Sequence, residues 1–286
     1  LAHGADTIQF FQLRRSVGGC EKFHGAVIAH AGTADTRVFR EVTQLGKELE
    51  KIGSRVMGSE NHAKVGIIFD WENYWALEYT SGPNRDLRYV DQIEQMYNYF
   101  YNKNIAVDMI PIDADFSKYD LVAAPVLYMV KDGVAESLEA YVQAGGTLIT
   151  TYMSGIVGQS DNVHLGGYPG PLRKMAGVWV EEIDALAPEQ RNKIRFADGT
   201  EEECRLVCDL MHLEGAEEIA QYESDFYAGM TAVAKNRFGK GTVYYVGTDL
   251  SESGLAKVLA MAADGAAIQP VIGEATALEI TKRQAD

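Results

Sequence analysis

The N-terminal part of the chain carries two apolar patterns of different period. Residues 6–13 have the aromatic and β-branched content of a strand, and a glycine-containing connection follows them. The apolar positions of residues 38–52 then recur at spacings of three and four, which predicts an amphipathic helix capped by Asp35 or Thr36. Together these patterns predict one βα unit over residues 1–53.

This predicted unit is incomplete by itself. One strand cannot pair its own two edges, and one helix cannot bury its own apolar stripe. The unit therefore needs either the sheet of the following domain or strands that are missing from this chain. The chain starts at Leu1 rather than at Met, which fits a start inside a longer protein as well as it fits N-terminal processing. We interpret the chain as an excised piece.

A second domain is predicted to begin after a polar linker at residues 55–63. Short apolar runs suited to buried parallel strands alternate with helical spacings that begin near Asp86 and Asp132. The predicted strands cover residues 64–69, 106–110, 121–126 and 147–151. Repeated crossovers of this kind predict an α/β fold with a doubly wound, mostly parallel sheet.

The pattern becomes less regular towards the C-terminus. Strands are predicted at residues 178–183, 231–235 and 242–246, and a closing helix is predicted at residues 251–263. A last strand-like segment at residues 277–282 follows Pro270 and Gly273. We interpret it as the first strand of a further domain.

Composition and charge exclude several classes of partner. The chain has 26 basic and 41 acidic residues among 286, and its net charge of -15 repels phosphate backbones. We therefore expect no nucleic-acid partner. No run approaches the roughly 18 apolar residues of a membrane span, and the N-terminus lacks the pattern of a signal peptide. The expected location is the cytoplasm, and no cofactor is expected.

The cysteines do not indicate a metal site or a disulfide framework. Cys20, Cys204 and Cys208 make an odd count without C-x-x-C spacing. Cys204 and Cys208 are four residues apart, a spacing that would place them on one face if the segment were a helix. Structural zinc normally has four ligands, and no nearby His or Cys completes such a set. Buried free thiols are the favoured interpretation.

A serine hydrolase is the alternative function. Ser154 follows the predicted strand at residues 147–151, where hydrolases of this architecture carry their nucleophile, and His164 is a candidate base. The segment departs from Gly-x-Ser-x-Gly because Tyr152 stands where the tight turn favours glycine. A glutamine amidotransferase would need Cys near this position, and Met153 is found instead.

Two other segments have the composition of binding surfaces. The loop at residues 14–25 combines charged, aromatic and imidazole groups that can bind a polyol, and a solvated loop is the alternative. Trp71 and Trp75 lie among acidic residues in a segment interpreted as a loop. Packing at a subunit interface is favoured for them over sugar binding, because Trp and Tyr are enriched at interfaces.

These residues also carry a family resemblance. Residues 10–25, Phe-Phe-Gln-Leu-Arg-Arg-Ser-Val-Gly-Gly-Cys-Glu-Lys-Phe-His-Gly, closely resemble the last barrel strand and loop of glycoside hydrolase family 42 β-galactosidases. Four later segments resemble that family's next domain in the same order: residues 69–77, 154–157, 164–172 and 245–249.

The resemblance implies a homotrimeric enzyme that hydrolyses terminal non-reducing β-D-galactosides with retention. Its polypeptide would run from a (β/α)8 barrel, ending here at residue 53, through a trimerisation domain at 64–270 to a small β domain that starts at 274–286. The middle domain would be flavodoxin-like and similar to class I glutamine amidotransferases without their nucleophile. The two catalytic glutamates would lie on earlier barrel strands. This chain is therefore expected to contain no catalytic residue and to be inactive alone.

The resemblance also assigns substrate-binding residues. It implies that Phe11, Glu21 and His24 line the galactose pocket, with Glu21 and His24 hydrogen-bonding to sugar hydroxyls. Cys20 departs from the small Ala or Ser that the family more often has, a change expected to matter little. In the full-length enzyme the expected partners are two further copies of the same chain and a galactoside.

Overall fold

The chain folds into two compact units in a computed structural model that describes residues 1–273 and 278–285. The first unit combines Leu1–His62 with the segment that starts at Thr281. The second unit spans Ala63–Ile280. The two units are described separately below.

The helix predicted in the first unit is present as α1, Arg37–Val56. The Thr36 hydroxyl accepts a hydrogen bond from the Phe39 amide at 3.3 Å, so Thr36 is the N-cap. The helix continues three residues beyond the predicted end at Gly53. None of its residues is buried, and its apolar stripe is at most half-buried.

The prediction of a strand at residues 6–13 is wrong. These residues form no strand, and their neighbourhood contains only a parallel bridge between Arg14 and Ile28. The Ile28 amide donates to the Leu13 carbonyl at 2.8 Å, and the Val27 amide donates to the Gln12 carbonyl at 3.0 Å. A strand needs a neighbour along its whole length, and in the described part of this unit only residues 27 and 28 run beside it.

The C-terminal segment is held by Arg283. Its guanidinium donates to the carbonyl oxygens of Leu1 and Ala5 at 2.8 and 2.7 Å and pairs with the Asp6 carboxylate at 2.8 Å. Gln284 forms an antiparallel bridge with Glu60. Residues 278–282 form no strand, and Ala277 lies outside the described residues. The assignment of residues 274–286 to a further domain stays a prediction.

The second unit alternates strands and helices in its first half and is mostly β in its second half. Its helices are α2 Trp71–Tyr79, α3 Tyr89–Asn102, α4 Val134–Ala144, α5 Arg173–Ala176 and α6 Glu252–Gly265. Its strands are β1 Val65–Ile68, β2 Val107–Ile110, β3 Leu121–Ala124, β4 Thr147–Thr151, β5 Val178–Ala185, β6 Asn192–Phe196, β7 Glu201–Leu213, β8 Glu217–Tyr222, β9 Thr231–Phe238, β10 Gly241–Val246 and β11 Thr248–Leu250. No helix in the described ranges is long and apolar enough to cross a membrane.

All strands assigned in the described residues belong to one mixed sheet. Its order is β2-β1-β3-β4-β10-β9-β8-β6-β7-β11, and β5 pairs with β7. The five strands from β2 to β10 are parallel, whereas the pairings beyond β10 are antiparallel. The expectation of a mostly parallel sheet therefore holds for the first half only. The connections from β7 to β8 and from β9 to β10 are too short to contain a helical crossover, and β9 and β10 form a hairpin.

Helices cover both faces of the parallel half. One core contains Val65 and Ile67 of β1 together with apolar residues of α2, α3 and α6. The other core contains Ile68 of β1 together with apolar residues of α4 and α5. Successive strand residues point to opposite faces, so the unbroken apolar runs of β1 and β3 supply both cores at once.

Helix α2 replaces the loop predicted around Trp71 and Trp75. The Asp70 carboxylate caps it by accepting from the Asn73 amide at 3.1 Å. Asn73 is fully buried, donates from Nδ2 to the Val126 carbonyl at 3.0 Å and accepts from the Met129 amide at 2.8 Å. Asn73 therefore fastens α2 to the loop that follows β3.

We predict that Asn73→Ala destabilises the second unit by about 2–5 kcal/mol, because it leaves two buried backbone groups without partners. Urea unfolding monitored by circular dichroism measures the change. Asn98→Ala, at an exposed position of α3, is the matched control and is expected to change stability little or to raise it slightly. Equal effects of the two substitutions would contradict the prediction.

Candidate functional site

The loop of residues 10–25 brings the three predicted sugar-binding residues into one small region. The rings of Phe11 and His24 meet edge to face with their centres 6.4 Å apart. Glu21 lies in a short 3-10 helix, Cys20–Phe23, and its carbonyl accepts from the His24 amide at 3.0 Å. Arg15 donates from Nε to the His24 carbonyl at 2.9 Å. Phe11, Glu21 and His24 are therefore held on one tied loop.

This loop is open to solvent in the first unit. Phe11 is 70% exposed, and Val17 and Phe23 are more exposed still. Glu21 is the one carboxylate that the loop contains, and glycoside hydrolysis usually requires a pair. The arrangement offers hydrogen bonds to hydroxyls and an aromatic surface, which are the means of binding a sugar rather than of cleaving one.

The turn after β4 has the backbone form of a nucleophile elbow but not its chemistry. Met153 has a φ of 57°, in the left-handed region, and its side chain is buried. At Gly155, with a φ of 65°, an added Cβ would overlap the Pro169 carbonyl. Glycine is therefore required there. The residue in the strained position carries a thioether, which is not an acyl-transfer nucleophile.

Ser154 and His164 do not form the predicted hydrolase pair. Ser154 is fully buried, and its hydroxyl bonds the Thr150 hydroxyl at 2.8 Å and accepts from the Leu127 amide at 3.0 Å. His164 Nε2 is buried and has no hydrogen-bond partner among the described residues. A catalytic serine must be reachable and bonded to its base. Ser154 therefore fixes the turn after β4 against the loop after β3.

Cys204 and Cys208 lie on strand β7 rather than on a helix. Both are free and buried, and Cys208 Sγ lies 3.7 Å from the Thr248 hydroxyl. The neighbouring Cys208 thiol and burial raise the pKa of Cys204. Among the described residues no group of three or more His, Cys, Asp or Glu side chains is arranged to hold a metal.

A pair of buried aspartates was missed by the sequence interpretation. Asp209 on β7 accepts a hydrogen bond from the Tyr245 hydroxyl at 2.7 Å, and its Oδ1 has no partner among the described residues. Asp249 on β11 is also buried and pairs with Arg205 Nε at 2.7 Å. An acidic residue inside an apolar run, as Asp209 is within Val207–Met211, was the available signal.

Burial controls the protonation of these aspartates. It raises the pKa of Asp209 to about 8, and the Tyr245 hydrogen bond opposes the shift without cancelling it. Burial also raises the pKa of Asp249, against the opposing charge of Arg205. Burial and then the Asp249 charge raise the pKa of Tyr152 well above its ordinary value. We therefore expect Asp209 to be protonated at neutral pH in the folded chain.

Comparisons with known proteins identify the family. The family model described as "Beta-galactosidase trimerisation domain" matches residues 63–269. The family model described as "Beta-galactosidase" matches residues 1–52. The second unit, with the mixed sheet, therefore corresponds to the domain that this family description names. The chain belongs to the glycoside hydrolase family 42 β-galactosidases.

Relatives match the chain over almost its whole length. It is 50% identical over 283 residues to the β-galactosidase LacZ of Lactobacillus acidophilus and 48% identical over 291 residues to the β-galactosidase BgaA of a Planococcus species. These alignments cover 99% and 100% of this chain but only 42% and 43% of those proteins. The crystal structure of the β-galactosidase from Bacillus circulans sp. alkalophilus is 46% identical with a TM-score of 0.95, covering 100% of this chain and 43% of that one.

We predict that Asp209→Asn makes the stability of the chain less sensitive to pH. The folded chain keeps the Asp209 proton up to about pH 8, whereas the unfolded chain loses it near the ordinary carboxyl pKa of about 4. The wild-type free energy of unfolding therefore falls as pH rises between these values, and Asn removes this contribution. The advantage of Asp209→Asn should grow by up to about 1.4 kcal/mol per pH unit.

Urea unfolding at pH 5, 6, 7 and 8 measures this difference. The exposed Asp86 provides the matched control, since Asp86→Asn changes no buried group and should shift stability little. Wild-type and Asp209→Asn stabilities that run parallel from pH 5 to pH 8 would show that Asp209 is ionised in the folded chain.

Proposed function

We propose that this chain is the assembly-bearing part of a cytoplasmic β-galactosidase. The complete protein would hydrolyse terminal non-reducing β-D-galactosides with retention and would work as a homotrimer. The chain itself would be structural. The observation that carries this proposal is the match of the trimerisation-domain family to residues 63–269, which correspond closely to the second compact unit.

The second unit is suited to an assembly role because its own fold is complete. Its parallel strands are covered on both faces, and its core residues come from every helix from α2 to α6. A domain with its own core can present a fixed surface to another subunit. Its elbow-like turn lacks a nucleophile, and the nearby Ser154 is buried, which favours a structural role over the hydrolase alternative.

The first unit supports the inference that the chain alone is inactive. Retaining glycosidases use an acid/base and a nucleophile about 5 Å apart, and we propose that both glutamates belong to barrel strands outside this chain. Phe11, Glu21 and His24 would then complete the galactose pocket that those strands form. Phe11 and His24 are exposed and Glu21 is half-buried, as a pocket wall without its opposite side would be.

The parallel half of the second unit also supports a distant similarity to amidotransferases. Its strand order is β2-β1-β3-β4-β10, with helices on both faces and a left-handed residue, Met153, two positions after the end of β4. We infer that this half is a flavodoxin-like, class I glutamine amidotransferase-like fold in which Met153 stands where the nucleophile would be. We therefore propose that this half of the second unit is a structural scaffold derived from an enzyme fold.

The purified chain is expected to show no β-galactosidase activity. Hydrolysis of a chromogenic β-galactoside should stay at the rate of the buffer blank, and calorimetry should detect no binding of galactose. The physical reason is that one tied loop cannot orient a sugar between two carboxylates.

An intact family 42 β-galactosidase assayed in parallel provides the positive control. Turnover that survives further purification and disappears in Glu21→Gln would contradict the proposed inactivity, because it would place a working acid in this loop. Turnover lost in Ser154→Ala would instead favour the serine hydrolase alternative.

A further inference from the structure

Helix α2 carries a row of exposed aromatic side chains, Trp71, Trp75 and Tyr79, which we call the aromatic ridge. Their spacing of four residues places them on one face of the helix. They are 58%, 59% and 87% exposed. The rings of Trp71 and Trp75 lie 6.1 Å apart, and Trp71 also meets Phe69 edge to face at 4.9 Å. Trp71 and Trp75 therefore form one contiguous apolar surface, and Tyr79 extends the row along the helix.

The opposite side of α2 holds the ridge in place. Asn73, Ala76 and Leu77 are buried there, and Asn73 bonds the loop after β3 at two backbone positions. Lys131 adds ion pairs to Asp70, at 2.8 Å, and to Glu72. A surface whose backbone is already fixed loses little conformational entropy when it binds a partner.

The exposed area of the ridge is large enough to matter in an interface. At 150–250 Å² for each aromatic side chain, the three exposed fractions correspond to roughly 400 Å². A stable interface buries about 800 Å² on each partner, so these three residues would supply about half. A patch of about this size is comparable to the largest exposed apolar patch of a typical monomer, which is often functional, and Trp and Tyr are enriched among the residues that dominate binding energy.

The occupant best supported is a second copy of this chain. The ridge lies within residues 63–269, the part of the chain that belongs to the trimerisation-domain family. Glu72 and Glu78 lie on the same helix and the chain has a net charge of -15, which disfavours an anionic membrane or a nucleic acid. A sugar would need a flat platform, whereas the planes of Trp71 and Trp75 are inclined by 36°.

We propose that the aromatic ridge of one copy packs against the neighbouring copy in the assembled protein. This proposal rests on the assembly function proposed above and assigns that function to particular side chains. Closed rings of three subunits use two different surfaces of the same chain. The ridge would supply one of these two surfaces.

Sedimentation velocity of the purified chain over a range of concentrations tests the ridge. The double variant with Trp75→Glu and Tyr79→Glu should weaken self-association on the order of 100-fold, because it would bury two charges against the partner. Trp75→Phe with Tyr79→Phe should keep the association. Phe226→Glu, at an exposed aromatic position on the β8–β9 loop, is the matched control and should leave it unchanged.

Circular dichroism and thermal unfolding show whether each variant keeps its fold, which is expected because Trp75 and Tyr79 face solvent. A wild-type oligomer that persists unchanged in the Glu double variant would overturn the ridge proposal and leave the assembly function standing. A monomeric wild type at every concentration would overturn both. Galactoside binding that the Glu double variant abolishes, with association unchanged, would make the ridge a sugar platform instead.

Discussion

The coverage of both faces of the parallel strands is the constraint on which the second unit depends. Every residue of β1, β3 and β4 is buried, so helices must lie on each side of the sheet. Polar groups that enter these layers must find partners, which explains the two hydrogen bonds of Asn73 and the bonding of the Ser154 hydroxyl to the loop after β3. On β7, in the antiparallel half, burial likewise raises the pKa of Asp209, because an unpaired buried charge is costly.

This constraint also explains which surfaces are left for binding. Once α2 has buried Asn73, Ala76 and Leu77 against the sheet, its opposite face can only point outwards. Three large aromatic side chains on that face have no role in the core of the unit. In the first unit the balance is reversed, because α1 has no buried residue and the loop of residues 10–25 is open. We infer that the second unit folds on its own core, whereas the first depends on strands that belong to the rest of the enzyme.

Sequence patterns predicted the buried, regular elements well and the partner-dependent ones poorly. The strand at residues 147–151 coincides with β4, and Ser251 caps the closing helix α6. Helix α2 was missed because apolar residues lie on both of its faces, so no single apolar stripe marks the helix, although Asp70 was a usable cap signal. Strands β6, β7 and β8 were missed because their polar faces interrupt the apolar runs. Residues 6–13 have the composition of a strand but lack a neighbour along their length.

The candidate sites were also predicted best where their residues lie close together in the sequence. The residue types and the family resemblance predicted a sugar-binding group of Phe11, Glu21 and His24. The structure places these three residues on one loop. The burial of Ser154 and the unusual protonation of Asp209 depend on contacts between segments far apart in the chain, which spacing alone does not reveal. Family membership supports the assembly role that we propose for the second unit.

Sedimentation equilibrium of the unmodified chain measures the assembly role most directly. We expect a species of three times the chain mass that dissociates to monomer on dilution. A single monomeric species at the highest concentration attainable would contradict the inference that this chain carries the assembly surface of its enzyme.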